Sequence, residues 1–249
     1  MKKILGIAFL VIFVFNNSFS QRIIEQKVRV GLSVSPAIAW FTKVDGGSNE
    51  SYSNDGARLN FGAGLNIDIP FLTKHISILT GVNIDYCGGK IQSQNSQAFI
   101  NTFKDAYKNI YQGLDTAKPN TFNVLSKYKF QYIEIPFMLK MKTPEIGAFT
   151  YFLQAGLGTS INIGAKADFE FTNITNAHET YNISDKSVSD HILFLRESLL
   201  VGAGFEFSIA SGTSLIFTAN FNNGFINSLR KTDLIQKSNL VSISAGVLF

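Results

Sequence analysis

The sequence predicts an all-β fold, an eight-stranded antiparallel transmembrane β-barrel with a short helix in its second long extracellular loop. Three observations lead there: a secretory leader followed by no spanning helix, period-two alternation along most of the chain, and connections that alternate between short and long. The chain has 249 residues, 45% hydrophobic and only 16% charged, with 23 Phe and a mean hydropathy of +0.13. Such aromatic content at low charge density excludes intrinsic disorder. The single cysteine, Cys87, excludes a disulfide scaffold. A formal charge of +4, small and scattered, argues against nucleic-acid binding.

At the N-terminus, Lys2 and Lys3 precede the apolar run Ile4–Phe15 and the small-residue ending Ser18-Phe19-Ser20. This is the layout of a cleavable secretory signal. The apolar run is shorter than the ~20 residues a helix needs to cross a bilayer, which argues against an uncleaved anchor. Residues 1–20 are expected to be removed, leaving 21–249 as one barrel domain and lowering the charge to +2 with the loss of Lys2 and Lys3. No Cys follows the cleavage site, so a lipid anchor is not expected.

Beyond Gln21 the chain alternates. Val28, Val30, Leu32, Val34, Ile38 and Trp40 share one parity, and Arg29, Gly31, Ser33, Ser35, Ala37 and Ala39 the other. Leu59, Phe61, Ala63, Leu65, Ile67 and Ile69 alternate likewise with Arg58, Asn60, Gly62, Gly64, Asn66 and Asp68. Successive strand side chains point to opposite faces, so each segment has one apolar face and one polar, glycine-rich face. Strands are expected at Val28–Phe41, Ala57–Ile69, Ile76–Tyr86, Tyr128–Lys142, Phe149–Ala165, Leu193–Ile209, Leu215–Phe225 and Asn239–Phe249.

Pro70–His75, Thr143–Gly147 and Ala210–Ser214 read as short turns, and Thr42–Gly56, Cys87–Lys127, Lys166–Ile192 and Ile226–Ser238 as long polar loops. Short turns on one side, long loops on the other and an even strand count are the signature of a barrel in a Gram-negative outer membrane. Both termini then fall on the periplasmic side. A soluble β-sandwich or lipocalin-like barrel would turn its apolar faces inward and its polar faces to water. Here the polar faces are rich in Gly, Ser and Asn, which suits a crowded lumen. Trp40, Phe41, Tyr86, Tyr128, Phe130, Phe149, Tyr151 and Phe225 lie near strand ends, where interfacial aromatic girdles are expected.

With the apolar parity toward lipid, the other parity carries Arg29, Arg58, Lys140 and Arg196 against Asp68, Asp85, Glu134 and Glu206, and Arg29, Asp68, Lys140 and Glu206, all toward the periplasmic ends of their strands, can form one layer. Charges inside such a wall persist only when paired or hydrated. An eight-stranded barrel has an interior just wide enough for side chains to fill it. A plugged lumen is therefore expected, with a narrow passive, porin-like channel as the alternative. Within the 88–127 loop, Phe99, Ile100, Phe103, Tyr107, Ile110, Tyr111 and Leu114 recur at helical spacing, and Gly113 and Pro119 would stop the helix. Such an amphipathic segment covers the barrel rim, lies on lipopolysaccharide or docks a partner.

Chemistry is sparse. The sequence contains no H-E-x-x-H, paired Cys, G-x-S-x-G, Walker loop or dinucleotide fingerprint, so no metal, cofactor or catalytic residue is expected. The enzyme alternative is an outer-membrane lipid hydrolase or acyltransferase using His191, Glu197 and one of Ser187, Ser189 or Ser198.

Tyr132-Ile133-Glu134-Ile135-Pro136-Phe137-Met138-Leu139-Lys140 resembles the Y-L-E-I-P-L-L-L-K signature of PorT-type outer-membrane β-barrel proteins, with Tyr132, Glu134, Pro136 and Lys140 retained. Further matches are Gly202–Phe207, Asn223–Asn227 and the last strand. The resemblance implies an eight-stranded outer-membrane barrel and little about activity. The family's namesake is associated with protein secretion and gliding. Together these readings give a non-enzymatic barrel whose loops form a binding or assembly surface. Its expected partners are outer-membrane lipid, lipopolysaccharide, the outer-membrane assembly machinery and an extracellular or secretion-system protein.

Val241, Ile243, Ala245, Val247 and Phe249 form a phased apolar series ending in an aromatic, which resembles the signal read by the assembly machinery. Deleting Phe249 is expected to lower the yield of inserted barrel in cells, measured in isolated outer membranes; unchanged insertion would contradict this.

Overall fold

The computed structural model describes residues 27–43, 52–71, 73–93, 122–173, 180–228 and 236–249. The expected signal at 1–20 and the amphipathic helix at 99–114 lie outside the described residues.

Among the described residues eleven strands follow in chain order: β1 Arg29–Lys43, β2 Tyr52–Asn54, β3 Arg58–Phe71, β4 Thr73–Cys87, β5 Lys90–Ser93, β6 Phe122–Lys142, β7 Phe149–Asn173, β8 Thr180–Ser187, β9 Leu195–Ala210, β10 Thr213–Gly224 and β11 Gln236–Leu248. Eight of them, β1-β3-β4-β6-β7-β9-β10-β11, form an antiparallel ring that β11 closes onto β1. The closing ladder runs from Lys43↔Gln236 to Gly31↔Leu248, and the Val30 and Phe249 backbones exchange two more bonds of 3.1 and 2.8 Å. Closure removes the free edges that an open sheet would expose.

The faces follow the parity of the sequence. Leu59 is 80% exposed, Phe137 63% and Ile243 65%, on β3, β6 and β11, while Asp68, Lys140 and Ser198 have no exposed surface on the opposite face. A soluble sandwich or lipocalin would show the reverse, because large apolar side chains around a whole circumference have no place in water. The strands thus form by period-two alternation, and the fold by turning the apolar half outward.

Two prolines mark breaks in the ring. The β1–β11 ladder passes from Val34↔Ala245 to Ala37↔Ser242, skipping Ser35 and Pro36. The β4–β6 ladder passes from Thr80↔Phe137 to Asn83↔Glu134, skipping Ile135 and Pro136. Proline has no N–H to give a ladder. At the closing seam the Ser35 and Ser244 hydroxyls, 2.7 Å apart, bridge the gap from the inside.

The structure departs from the expected boundaries at the long-loop end. β6 begins at Phe122 rather than Tyr128, β7 runs on to Asn173 rather than Ala165, and β2, β5 and β8 occupy parts of the expected loops. These pieces form a sheet in the order β2-β5-β6-β7-β8 that continues beyond the ring. Its polarity is inverted. Lys127, Lys129, Lys166, Asp168 and Glu170 lie on its outer face, whereas Val124, Tyr128, Ala167, Phe169 and Phe171 are buried within. A register shift at Gln131/Tyr132 separates the two regimes. Charged outward positions made this region read as loop, although its alternation is that of a sheet with one face in water.

The same parity corrects part of the expected girdle. Tyr86, Phe149, Tyr151 and Phe225 are exposed, and Trp40 stacks on Phe221 with centroids 6.4 Å apart. Phe41, Tyr128 and Phe130 instead point inward and are buried. Nearness to a strand end sets a residue's height, but parity decides which face it occupies.

Candidate functional site

The inward face holds the polar chemistry, arranged at three levels. At the short-turn end, Arg29 of β1 lies opposite Asp68 of β3. Its Nη2 donates to Asp68 Oδ2 at 2.7 Å, and its guanidinium also grips Glu206 of β9 through both Nη atoms at 2.7 and 3.0 Å. From β6, Lys140 Nζ donates to Glu206 Oε1 at 2.5 Å and to Asp68 Oδ2 at 3.4 Å. The ammonium also sits 4.1 Å from the centroid of the Phe152 ring, a cation–π contact. Lys142 completes the group, donating to Asp68 Oδ2 at 2.6 Å. Lys142 is not among the eight expected lumen charges, although it shares the parity of Lys140 two residues further on.

At mid-height Glu134 and Arg196 face each other with Nη1 and Oε2 3.8 Å apart. Asn222 joins them: Arg196 Nη2 donates to Asn222 Oδ1 at 2.5 Å, and Asn222 Nδ2 donates to Glu134 Oε2 at 3.0 Å. Ser160 Oγ adds a bond of 3.2 Å to the same oxygen. Gln154 Nε2 donates to Asn220 Oδ1 at 2.8 Å, and Asp85 faces the same space. These groups line a cavity of about 110 Å³.

At the long-loop end the lumen is filled by rings. Phe41 packs against Tyr128 and Phe130 at centroid distances of 5.8 and 5.9 Å, Tyr128 meets Phe169 at 6.3 Å, and Phe130 meets Tyr132 at 6.2 Å. Cys87, Ile91, Val188 and Ile192 belong to the same buried cluster, and Cys87 Sγ lies 2.8 Å from Ser238 Oγ. Arg58 reaches this level alone among the expected lumen charges, donating to the Tyr128 carbonyl at 2.8 Å.

The eight expected charges are thus distributed over the three levels. Arg29, Asp68, Lys140 and Glu206 meet at the short-turn end, where Lys142 makes three cations against two carboxylates. Glu134, Arg196 and Asp85 share the middle, with one cation against two carboxylates. The motif residues Tyr132, Glu134, Pro136 and Lys140 form one buried inward stripe of β6. Tyr132 enters the aromatic level, Glu134 the middle and Lys140 the lower level, so a single strand ties all three together.

Elsewhere, Val241, Ile243, Ala245, Val247 and Phe249 share the outward face of the last strand, with Phe249 62% exposed. Of the hydrolase candidates, Glu197 accepts from Thr159 Oγ1 at 3.0 Å, whereas neighbouring Ser198 is buried and donates to the Gly158 carbonyl at 3.3 Å. Adjacent strand residues face opposite ways, so these two cannot serve one triad. His191 lies apart from the strand, in the 3-10 turn Ser189–His191.

Removing one partner from a buried ion group leaves the others buried with fewer ion pairs and hydrogen bonds, at a cost of roughly 3–5 kcal/mol. Lys140→Met is expected to cost about that much in urea unfolding from lipid vesicles. Lys142→Met, at the more open rim, should cost less. A Lys140→Met cost below about 1 kcal/mol would contradict the role given to this level.

Residues 16–230 match the family described as outer membrane protein beta-barrel domain. No curated protein matches the chain in sequence. Among solved structures, Neisserial surface protein A aligns at 10% identity and TM-score 0.44, over 89% of this chain and 95% of that one. OprG of Pseudomonas aeruginosa aligns at 10% identity and TM-score 0.39, over 88% and 95%. Ail of Yersinia pestis aligns at 13% identity and TM-score 0.37, over 90% and 100%. At these values no activity is carried across. With its closed eight-stranded ring, apolar exterior and filled polar interior, the chain belongs to the outer membrane protein beta-barrel domain family, whose place is the Gram-negative outer membrane.

Proposed function

We propose that this protein is a closed, non-enzymatic barrel that displays a rigid sheet outside the cell as a binding or assembly surface. The observation that carries this reading is the length of two neighbouring strands. β6 has 21 residues and β7 has 25, whereas a strand needs ~9–11 to cross the membrane. The surplus builds the β2-β5-β6-β7-β8 sheet, which rises above the point where outward side chains change from apolar to charged.

The orientation follows from the same asymmetry. Short turns face the periplasm together with both ends of the barrel domain, and the extended sheet stands outside. Its outer face carries ion pairs, Lys129–Asp168 at 2.6 Å and Lys127–Glu170 at 3.4 Å. A polar, water-facing surface of this kind suits an extracellular or secretion-system protein partner, with lipopolysaccharide around its base. The β6 motif favours the PorT-type branch of the family.

Closure is favoured over a narrow channel because the aromatic level and the ion group obstruct the lumen at both ends. Planar-bilayer recording of the purified barrel is expected to show no steady conductance. The paired substitution Tyr128→Ala with Phe130→Ala should raise leak currents. Steady, large conductance of the wild type would overturn the reading.

A further inference from the structure

We infer that the ion group at the short-turn end is also a phosphate-binding site open to the periplasm, with Arg29 and Lys142 as the residues that hold the anion. The group does not balance. Arg29, Lys140 and Lys142 surround only Asp68 and Glu206, which leaves one positive charge in excess. That excess has a direction. The Asp68 and Lys140 side chains have no exposed surface and that of Glu206 only 5%, whereas Arg29 is 23% exposed and Lys142 10%. The charge presented at the mouth is therefore positive.

One anion can reach both cations. Arg29 Nη2 and Lys142 Nζ lie 2.7 and 2.6 Å from the same atom, Asp68 Oδ2, which gathers them within the span of a single tetrahedral oxyanion. Both have donors to spare. The Arg29 bonds to Asp68 and Glu206 leave its Nε and part of Nη1 uncommitted, and Lys142 Nζ donates to Asp68 alone. Arg29 Nε is not an enclosed donor, unlike Arg196 Nε at mid-lumen, so it faces water. The surroundings keep the sign. Lys27, two residues before β1, is exposed and makes no ion pair among the described residues, and Lys74 of β4 is exposed at the same end, against Glu145 in the β6–β7 turn.

Donor chemistry and charge select the ligand class. An Arg fork beside a Lys ammonium gives the short, charge-assisted bonds that phosphate oxygens take. One excess positive charge matches the single negative charge of a phosphodiester or of the phosphate monoanion. Two sources share that chemistry, a phospholipid headgroup of the periplasmic leaflet and phosphate free in the periplasm. The anion lies on the periplasmic side of the ion group, so it exchanges with that compartment while the lumen above stays closed.

The test uses the full mature barrel in maltoside micelles, which carry no phosphate, unfolded by heat at fixed pH and ionic strength in sodium chloride or sodium phosphate. Phosphate stabilises folded proteins in general by exclusion from their surfaces, so the measured quantity is the difference between wild type and Lys142→Met. At ~10 times its dissociation constant, phosphate should raise the unfolding temperature of the wild type by roughly 3–5 °C more than that of the variant. Lys74→Met should respond as the wild type does. An equal rise in wild type and Lys142→Met would overturn the proposal, as would an equal loss in Lys74→Met. A short-chain phosphatidylglycerol added to the chloride sample separates the sources. A rise that depends on Lys142 assigns the site to a lipid headgroup, and a rise with inorganic phosphate alone assigns it to the free anion. Should Lys142→Met fail to fold, ³¹P relaxation of inorganic phosphate decides. Broadening by the folded wild type beyond that by heat-unfolded protein supports the site, and no excess overturns it.

Discussion

Closing a ring of only eight strands imposes the constraint on which everything else depends. Every backbone N–H and C=O at membrane depth must be paired within the wall, so β11 has to meet β1. The wall must be apolar outside, which sends most polar side chains inward into a space little wider than the side chains themselves. Three consequences can be followed residue by residue. The glycines that face inward relieve crowding. The charges that face inward must find one another, as Arg29, Lys140, Asp68 and Glu206 do. What remains of the interior is packed with rings, as around Phe130.

This constraint also explains the motif on β6. A strand that contributes Tyr132, Glu134 and Lys140 to three successive levels couples the aromatic cluster, the middle polar group and the lower ion group along one backbone. Pro136 sits between them at a break in the β4–β6 ladder. Buried ion groups of this type are weak evidence for stability gained over an apolar alternative, yet they are costly to leave incomplete. Their value here is that a misregistered strand would strand a charge in the lumen.

The ring strands were legible in the sequence because lipid on one side and a crowded lumen on the other enforce strict alternation. Val30, Leu32 and Val34 declare their face without reference to any neighbour. The extended sheet was not legible on the same rule. Between Lys166 and Phe171 the outward residues are charged and the inward ones apolar, so the pattern that marks a membrane strand is reversed and the segment reads as loop. The grouping of charges was only partly legible. Parity placed Glu134 and Lys140 inside, and height along the strands put Arg29, Asp68, Lys140 and Glu206 in one layer, but individual partners depend on registers such as Arg29↔Asp68 that no single strand encodes. Phe41, Tyr128 and Phe130 show the converse, since their heights resembled a girdle while their parity put them in the lumen.

For the sealed lumen proposed above, the chain carries its own probe. Cys87 is its only cysteine and lies within the aromatic cluster at the long-loop end, against Ser238. The folded barrel in lipid vesicles can be exposed to a small, charged, water-soluble thiol reagent and compared with the same protein after denaturation. Cys87 is expected to remain unlabelled while folded and to react fully once unfolded. Rapid labelling of the folded barrel would mean that water and solutes reach the interior, and would contradict the seal.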